Sequence, residues 1–451
     1  MTHRSGFVGP GNVRLRRALV GCAVAGALIG ITTVRAQPTE EERAPLDEPL
    51  ELGGPEIELR LGLRAQGARG RDGADRLERD IDTLRAGIRL DLRQRLSTGV
   101  QARAEFELRG EQATESGVLV AEEEFEARVR ALFVQYESAD EGVRVRLGRQ
   151  GLDDTMGWFI DEDVDGLRIG IGGERRRLDL SLSREAPFED GDRQDDQTLN
   201  ALAALSFDTG RKSDWTPWVL HRSGDGSDGG DDADTTWFGL QGVGRTTDRL
   251  RYWFNAAARR GEENRDDGTT RDLAGHAFDL GLVRIFQTAW RPSLALGFAS
   301  ATGDAERGDG DDGFRQTGLH DNEHRFGGEF DFRYLGEVLD PELANIEIVT
   351  FGVGAKTTPD LSLDVVYHRY RQRETEDRLR GTDLQFDPTG ASDDLGDGLD
   401  LVIGYDTGGA FELQAVAGLF RFGEAFRTVD SATPDDAWLL RLEMEYTFAV
   451  R

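Results

Sequence analysis

The sequence predicts an all-β protein, a transmembrane antiparallel up-and-down β-barrel of about 18 strands and of the outer-membrane type, and three observations carry that expectation. Segments of apolar and polar alternation recur along the chain, the polar half of the segments is rich in charge, and the connections between them alternate between short and long. Alternation puts one face of a strand in an apolar medium and the other in water. Strands that cross lipid satisfy their backbone only in a closed barrel. Short turns at one end and long loops at the other place both termini of such a barrel in the periplasm.

The chain opens on a leader. Arg14, Arg16 and Arg17 precede an apolar run from Ala18 to Val34, and Val34, Arg35 and Ala36 end it in a small-residue cleavage pattern. Residues 1–36 are therefore expected to be a secretory signal peptide, cleaved near Ala36. The run is short for a spanning anchor, and it follows Cys22 instead of preceding it, which argues against a lipoprotein site. Removal of the leader takes the net charge from −30 to about −35 and removes the only cysteine. An exported chain without disulfides relies on an extensive fold for its stability. Residues 37–55 are acidic and proline-rich and read as a flexible N-terminal segment. Residues 56–451 are assigned to the barrel domain.

In the first strand Ile57, Leu59, Leu61 and Leu63 share a face, with Glu58, Arg60 and Arg64 opposite. In the second, Leu84, Ala86, Ile88, Leu90 and Leu92 oppose Arg85, Arg89, Asp91 and Arg93; in the third, Val100, Ala102, Ala104, Phe106 and Leu108 oppose Gln101, Arg103, Glu105, Glu107 and Arg109. Further segments of period two begin near residues 124, 143, 165, 177, 198, 215, 236, 250, 274, 292, 346, 361, 398, 411 and 437. The last alternates Trp438, Leu440, Leu442, Met444, Tyr446, Phe448 and Val450 with Arg441, Glu443 and Glu445. Its apolar face is expected to see lipid and its charges a water-filled lumen. Links such as 173–176, 246–249 and 357–360 are short, whereas 185–197, 223–235, 303–345 and 371–397 are long and polar. A soluble secreted β-sandwich or β-helix is the competing fold, but a sandwich needs no alternation of loop length, and no repeat of fixed period is visible. Trp215, Trp237, Trp290 and Trp438 fall at strand ends, where an aromatic girdle sits.

Net acidity and the lack of a basic stripe exclude a nucleic-acid partner. No HExxH, GxSxG or Cys/His cluster occurs, so the reading is not an enzyme, with no catalytic residues, no metal site and no cofactor. A surface enzyme on a barrel rim would have to draw Asp190, Asp192, His221 and Asp225 together, which nothing in the sequence requires. The acid concentrates at 224–234, 303–313 and 391–398, read as solvated extracellular loops capable of loose divalent cation binding; the first does not follow the EF-hand pattern.

A barrel of about 18 strands is too wide for side chains to fill, so an aqueous channel is the expectation. Inward positions by parity include Arg85, Arg89, Arg93, Arg103, Arg128, Arg130, Arg144, Arg146 and Arg168. Among 55 basic residues only Lys212 and Lys356 are lysine, and a lining of guanidinium forks favours a carboxylate-bearing solute. The alternative for each arginine is simple charge balance against inward Asp91, Glu105, Glu107 and Glu126.

The segments "VRLGRQGLDDTMGWFIDEDVDGLRIGI" (145–171), "FRQTGLHDNEHRFGG" (314–328), "YLGEVLDPELANIEI" (334–348) and "LFRFGEAF" (419–426) resemble signature segments of the alginate export family. The resemblance implies an outer-membrane porin whose arginine-rich lumen carries out polysaccharide transport, passing alginate from the periplasm to the exterior as an anion-selective channel. It also implies roles for Arg149 beside a GRQ turn, Arg168 after a DVDG corner, and Arg315 and Arg325 in the second segment, with Asp165 orienting or gating them. A turn-forming role before Gly166 is the other reading of Asp165. The expected partners are an anionic polysaccharide, outer-membrane lipid and lipopolysaccharide, and the periplasmic polysaccharide-export machinery. A general or anion-selective small-solute porin is the functional alternative, distinguished by whether a loop constricts the lumen. Acidic loops would repel a polyanion at long range, but salt confines that field to about 8 to 10 Å.

Overall fold

A computed structural model describes residues 55–450 apart from 70–80, 116–117, 120–123, 174, 186–197, 211–212, 225–232, 248, 265–267, 305–309, 385 and 428–435. The expected signal peptide and most of the acidic lead-in, like the 224–234 loop apart from its ends, lie outside the described residues.

Eighteen long strands follow one another in the chain. They are β1 (Glu56–Arg69), β2 (Ile81–Ser97), β3 (Val100–Glu115), β4 (Glu124–Glu137), β5 (Val143–Asp153), β6 (Asp161–Gly173), β7 (Arg176–Glu185), β8 (Leu199–Asp208) and β9 (Asp214–Ser223). They continue as β10 (Ala233–Thr247), β11 (Leu250–Asn264), β12 (Thr270–Ile285), β13 (Ser293–Ala301), β14 (Ile346–Lys356), β15 (Leu361–Gln372), β16 (Asp394–Asp406), β17 (Phe411–Phe422) and β18 (Asp436–Val450). Each pairs antiparallel with its sequence neighbour, and β1 pairs β18 from Ile57 opposite Val450 to Arg69 opposite Trp438, which closes the barrel. Among the described residues the only helix is a 3-10 turn at Glu424–Phe426.

The alternation places the apolar rows as the sequence predicts. Leu132, Val134, Leu147, Leu296, Leu440 and Leu442 are exposed, and Leu147 is 64% accessible. On a water-soluble protein such rows would be a large aggregation liability, whereas on a barrel they meet acyl chains. Between these rows the buried residues include polar and charged ones, among them Asp91, Glu105, Gln135, Asn255 and Asp279. The face opposite the exposed rows is therefore the lumen wall. Aromatic pairs Trp215 with Tyr252, Tyr405 with Phe411, and Tyr446 with Phe448 lie near the short-turn ends of their strands and supply the girdle there.

Three expectations are corrected. Segments 145–153 and 161–171 are uninterrupted strand, so neither a GRQ turn nor a DVDG corner exists; Arg149, Asp165 and Arg168 sit within β5 and β6, and Asp165 is not a turn former. Trp237 is buried and donates its indole N–H to the Arg315 carbonyl at 2.9 Å, so it faces inward and is not part of a girdle. The stretch 303–345 is not simply a polar loop.

That stretch, together with Thr302, connects β13 to β14, and its residues 314–343 fold into the barrel. Phe314, Leu319, Phe326, Phe332, Tyr334, Leu335, Val338, Leu339 and Leu343 are all buried, although the segment lies outside every barrel strand. Phe326 stacks on Trp253 of β11 at 5.5 Å. The Tyr334 hydroxyl donates to Asp279 of β12 at 2.7 Å, and the Tyr370 hydroxyl of β15 donates to the Leu335 carbonyl at 2.8 Å. Arg441 of β18, expected to face open water, is buried against Glu337 at 3.0 Å. Glycine makes room for these aromatics on the wall: a Cβ at Gly281 would stand 2.1 Å from the Trp253 ring, and one at Gly239 would stand 2.2 Å from Trp218. Each large apolar side chain buried here contributes about 2 kcal/mol, so the segment has a fixed seat on the β9–β18 side.

A second connection reinforces it. The 154–160 turn between β5 and β6 also folds inward and interlocks with residues 316–322. Gln316 donates to the Trp158 carbonyl at 2.7 Å, Thr317 to the Phe159 carbonyl at 2.6 Å, and the Asn322 N–H to the Gly157 carbonyl at 3.0 Å. Phe159 in turn stacks on Trp218 at 4.2 Å. Asp154 ties the turn together by accepting from the backbone N–H groups of Met156, Phe159 and Ile160 and from Gln241.

Candidate functional site

The seated segment leaves the other half of the lumen, along β1–β7, to charged side chains. Guanidinium groups and carboxylates alternate up this wall because β-strand periodicity returns every second residue to the same face. Arg85 meets Glu111 at 2.5 Å, Arg89 meets Glu105 and Glu107 at 3.5 Å, and Arg93 and Arg103 share Asp91 at 2.7 and 2.9 Å. Arg103 also contacts Glu105 at 2.5 Å, Arg109 meets Glu126 at 2.7 Å, and Arg128 pairs with the same Glu126. The charge balance that parity allowed is thus built: the inward acids of β2–β4 are the partners of the inward arginines.

Two cavities open on this wall. One, of about 250 Å³, is bordered by Arg60, Arg64, Arg85, Arg89 and Arg109 against Glu107, Glu412, Glu443 and Glu445, with Phe330 of the internal segment at its side. The other, of about 390 Å³, is lined by Arg103, Arg130, Arg144, Arg146, Arg168 and Arg177 against Glu105, Asp153, Asp163 and Asp179. Six guanidinium groups and four carboxylates line it, and two further carboxylates just outside the lining, Asp91 and Glu137, hold Arg103 and Arg144.

Five of the nine residues singled out from the sequence line this second cavity: Arg103, Arg130, Arg144, Arg146 and Arg168. Arg130 reaches Asp163 at 3.2 Å, Arg144 reaches Glu137 at 2.7 Å, and Arg168 reaches Asp179 at 3.2 Å. Arg146 donates to the Gln135 amide oxygen at 2.9 and 2.6 Å and lies 4.4 Å over the ring of Phe133. The amide oxygen and the aromatic face both orient the guanidinium.

The other four residues lie elsewhere. Arg149 is buried, 4% exposed, and stands directly opposite Asp165 in the β5–β6 register. Arg315 borders a separate cavity with Arg271, Arg378 and Arg380, where Arg271 already holds Asp304 at 2.7 Å. Asp311, in one of the acidic stretches read as solvated, is buried and paired with Arg259 at 3.3 Å. Asp394 and Asp397, at the start of β16, are likewise held by Arg369 at 2.7 and 3.0 Å. Arg325 donates to the Glu329 carbonyl at 2.8 Å and lies within electrostatic reach of Arg251. Sequence reasoning missed Arg177, which shares Asp179 with Arg168 at 2.7 Å, although it opens β7 on the inward parity. Among the described residues no group of three or more His, Cys, Asp or Glu side chains is placed to hold a metal ion.

The internal segment carries titratable groups of its own. Burial pushes the Glu323 carboxyl up to about 7, and the neighbouring Asp321 charge adds to the shift. A raised carboxyl pKa stabilises the seat fully below the ordinary carboxylate range, and that contribution is lost as pH rises through 7. Glu323→Gln is therefore expected to protect residues 319–334 against hydrogen exchange more than the parent at pH 8 and equally at about pH 4. Equal protection at both values would show that Glu323 is ionised at no cost to the seat.

Comparison with known proteins places the chain among related barrels. The family described as alginate export matches residues 56–439. The alginate production protein AlgE of Pseudomonas aeruginosa is 25% identical over 324 residues, 61% of this chain and 62% of AlgE. The aligned region thus spans less than two thirds of that relative. Among solved structures, Pseudomonas aeruginosa OccK2 (OpdF) in complex with glucuronate superposes with a TM-score of 0.56 at 12% identity, covering 92% of this chain and 100% of its own. Acinetobacter baumannii OccAB4 superposes with a TM-score of 0.55 at 10% identity, over 89% of this chain and 99% of its own. At such identities the two structures share the barrel fold.

Proposed function

This chain belongs to the alginate export family, and on that premise we propose that it is an outer-membrane channel that exports an anionic polysaccharide, alginate or a related polyuronate, along the β1–β7 wall of its lumen. The observation that carries the reading is the cavity in which six arginines face four acids. A uronate carboxylate entering it meets guanidinium forks, which bind carboxylates in a planar bidentate geometry. The paired acids keep the wall from trapping the polymer, because each contact formed competes with an internal ion pair. Arg103, Arg130, Arg144, Arg146 and Arg168 are the proposed path. Arg149 with Asp165, Arg315 and Arg325 would set the field along it, the last two from the internal segment. Export of the chain by the 1–36 leader, insertion beside lipopolysaccharide and delivery of polymer by periplasmic machinery belong to the same proposal, as does the absence of any chemistry of its own.

A second reading, an anion-selective small-solute porin, is favoured by the inward fold of 314–343, which narrows the lumen as porin loops do. Single-channel current of the refolded chain in a planar bilayer separates the two. Export of a polyuronate is expected to appear as anion-selective conductance that added oligouronate blocks. Anion selectivity without block would favour the porin, and conductance without ion preference would overturn the role of the arginine wall.

A further inference from the structure

We propose that the short-turn mouth of the barrel carries a separate anion-binding site, built on Arg245 and Arg251 with Arg325 and Arg291 nearby, which takes a carboxylate of the entering solute. Arg245 and Arg251 end β10 and begin β11, and they stand directly opposite each other across the β10–β11 pair. They share the inward face with Gln241, Trp253 and Asn255, which are buried against the internal segment or its neighbours. Like charges directly opposite on antiparallel strands destabilise the sheet. Arg325 of the internal segment and Arg291 lie within electrostatic reach of Arg251, as does Glu329.

Glu329 is engaged elsewhere, since it pairs with Lys356. The segment meets the cluster through backbone oxygens instead, with Arg251 donating to the Phe326 carbonyl at 3.4 Å and Arg325 to the Glu329 carbonyl at 2.8 Å. Among the described residues Arg245, Arg251 and Arg291 form no ion pair. The contrast is with the β1–β7 wall, where arginines such as Arg85, Arg103 and Arg109 have a carboxylate within 3 Å. Arg245 and Arg251, brought opposite each other without a carboxylate partner, cost stability and are satisfied by an anion from outside. That the anion is a uronate rests on the proposed export function; that an anion binds does not.

The test uses the full refolded chain in a bilayer, oriented by a C-terminal streptavidin tag, with trigalacturonate added to one side at a time. The double change Arg245→Gln with Arg251→Gln is expected to slow block from the short-turn side at least tenfold and to alter block from the long-loop side less than twofold. Thermal unfolding in detergent gives a second readout. The double variant is expected to melt no lower than the parent without anion, because repulsion is removed, and to lose the rise in melting temperature that sulfate gives the parent. A variant that melts lower, or one that sulfate still stabilises as it does the parent, would overturn the site. If sulfate stabilises the parent alone while trigalacturonate blocks neither protein, the anion site stands and the polyuronate reading fails.

Discussion

Replacing residues 314–343 by a short turn is expected to raise single-channel conductance several-fold and to weaken anion preference. The splice is feasible because the ends of the segment already meet: the Asn345 N–H donates to the Thr302 carbonyl at 3.3 Å, and Ser300 stands opposite Glu347 across β13 and β14. An 18-stranded wall without inward connections encloses a wide aqueous channel, so removing the buried block that fills the β9–β18 side enlarges the cross-section directly. Selectivity falls with it, since ions then pass far from the arginine wall and a charge more than about 8 to 10 Å away is screened. A milder change isolates the interlock. Asp154→Ala removes the acceptor of three backbone N–H groups and of Gln241 in a buried turn, and each such bond to a charged group contributes about 1.5 to 3 kcal/mol. Its expected signature is current that flickers between two levels. Unchanged conductance in both variants would place the conducting path away from the internal segment.

The strands were legible because lipid and water impose period two on every residue that crosses the membrane. The fourteen other strands start within two residues of the sequence reading, while β6, β10, β12 and β16 start three or four residues earlier than positions 165, 236, 274 and 398. All four begin at the long-loop end, where the wall rises beyond the acyl chains and outward residues need no longer be apolar. Parity likewise found five arginines of the larger cavity. It could not find the internal segment, whose buried residues Phe314, Leu319, Phe326, Tyr334, Val338 and Leu343 follow no fixed period. The signal was composition: a solvated loop does not carry that many large apolar side chains, and a connection of such length is rarely structureless. Nor could parity separate the arginines that have acids beside them from those that do not. Arg245 meets Arg251 across one short turn, whereas Arg103 meets Asp91 twelve residues away through a register set by the whole β2–β3 hairpin.

Charge reversal in the larger cavity is expected to have the strongest effect on what passes. Arg146→Glu alone lowers the charge of the cavity lining by two, and adding Arg168→Glu lowers it by four. The two positions are not equivalent. Arg168 shares Asp179 with Arg177, so reversing it sets a new carboxylate against an existing one and leaves Arg177 to hold both. Arg146 is oriented by Gln135 and the face of Phe133, and a glutamate there keeps a donor in the Gln135 amide but loses the cation over the ring. At the wall of a channel, a unit charge acting at about 4 Å is worth about 4 kcal/mol, and 1.4 kcal/mol is a tenfold change in affinity. Even after screening, Arg146→Glu is expected to weaken oligouronate block at least tenfold, and the double variant to invert the sign of the reversal potential under a salt gradient. Both barrels should insert and conduct as the parent does, because neither change touches the lipid face or the internal seat. A double variant that still prefers anions would mean that selection occurs at another level of the lumen, and the cluster of Arg245, Arg251 and Arg325 would be the next place to reverse charge.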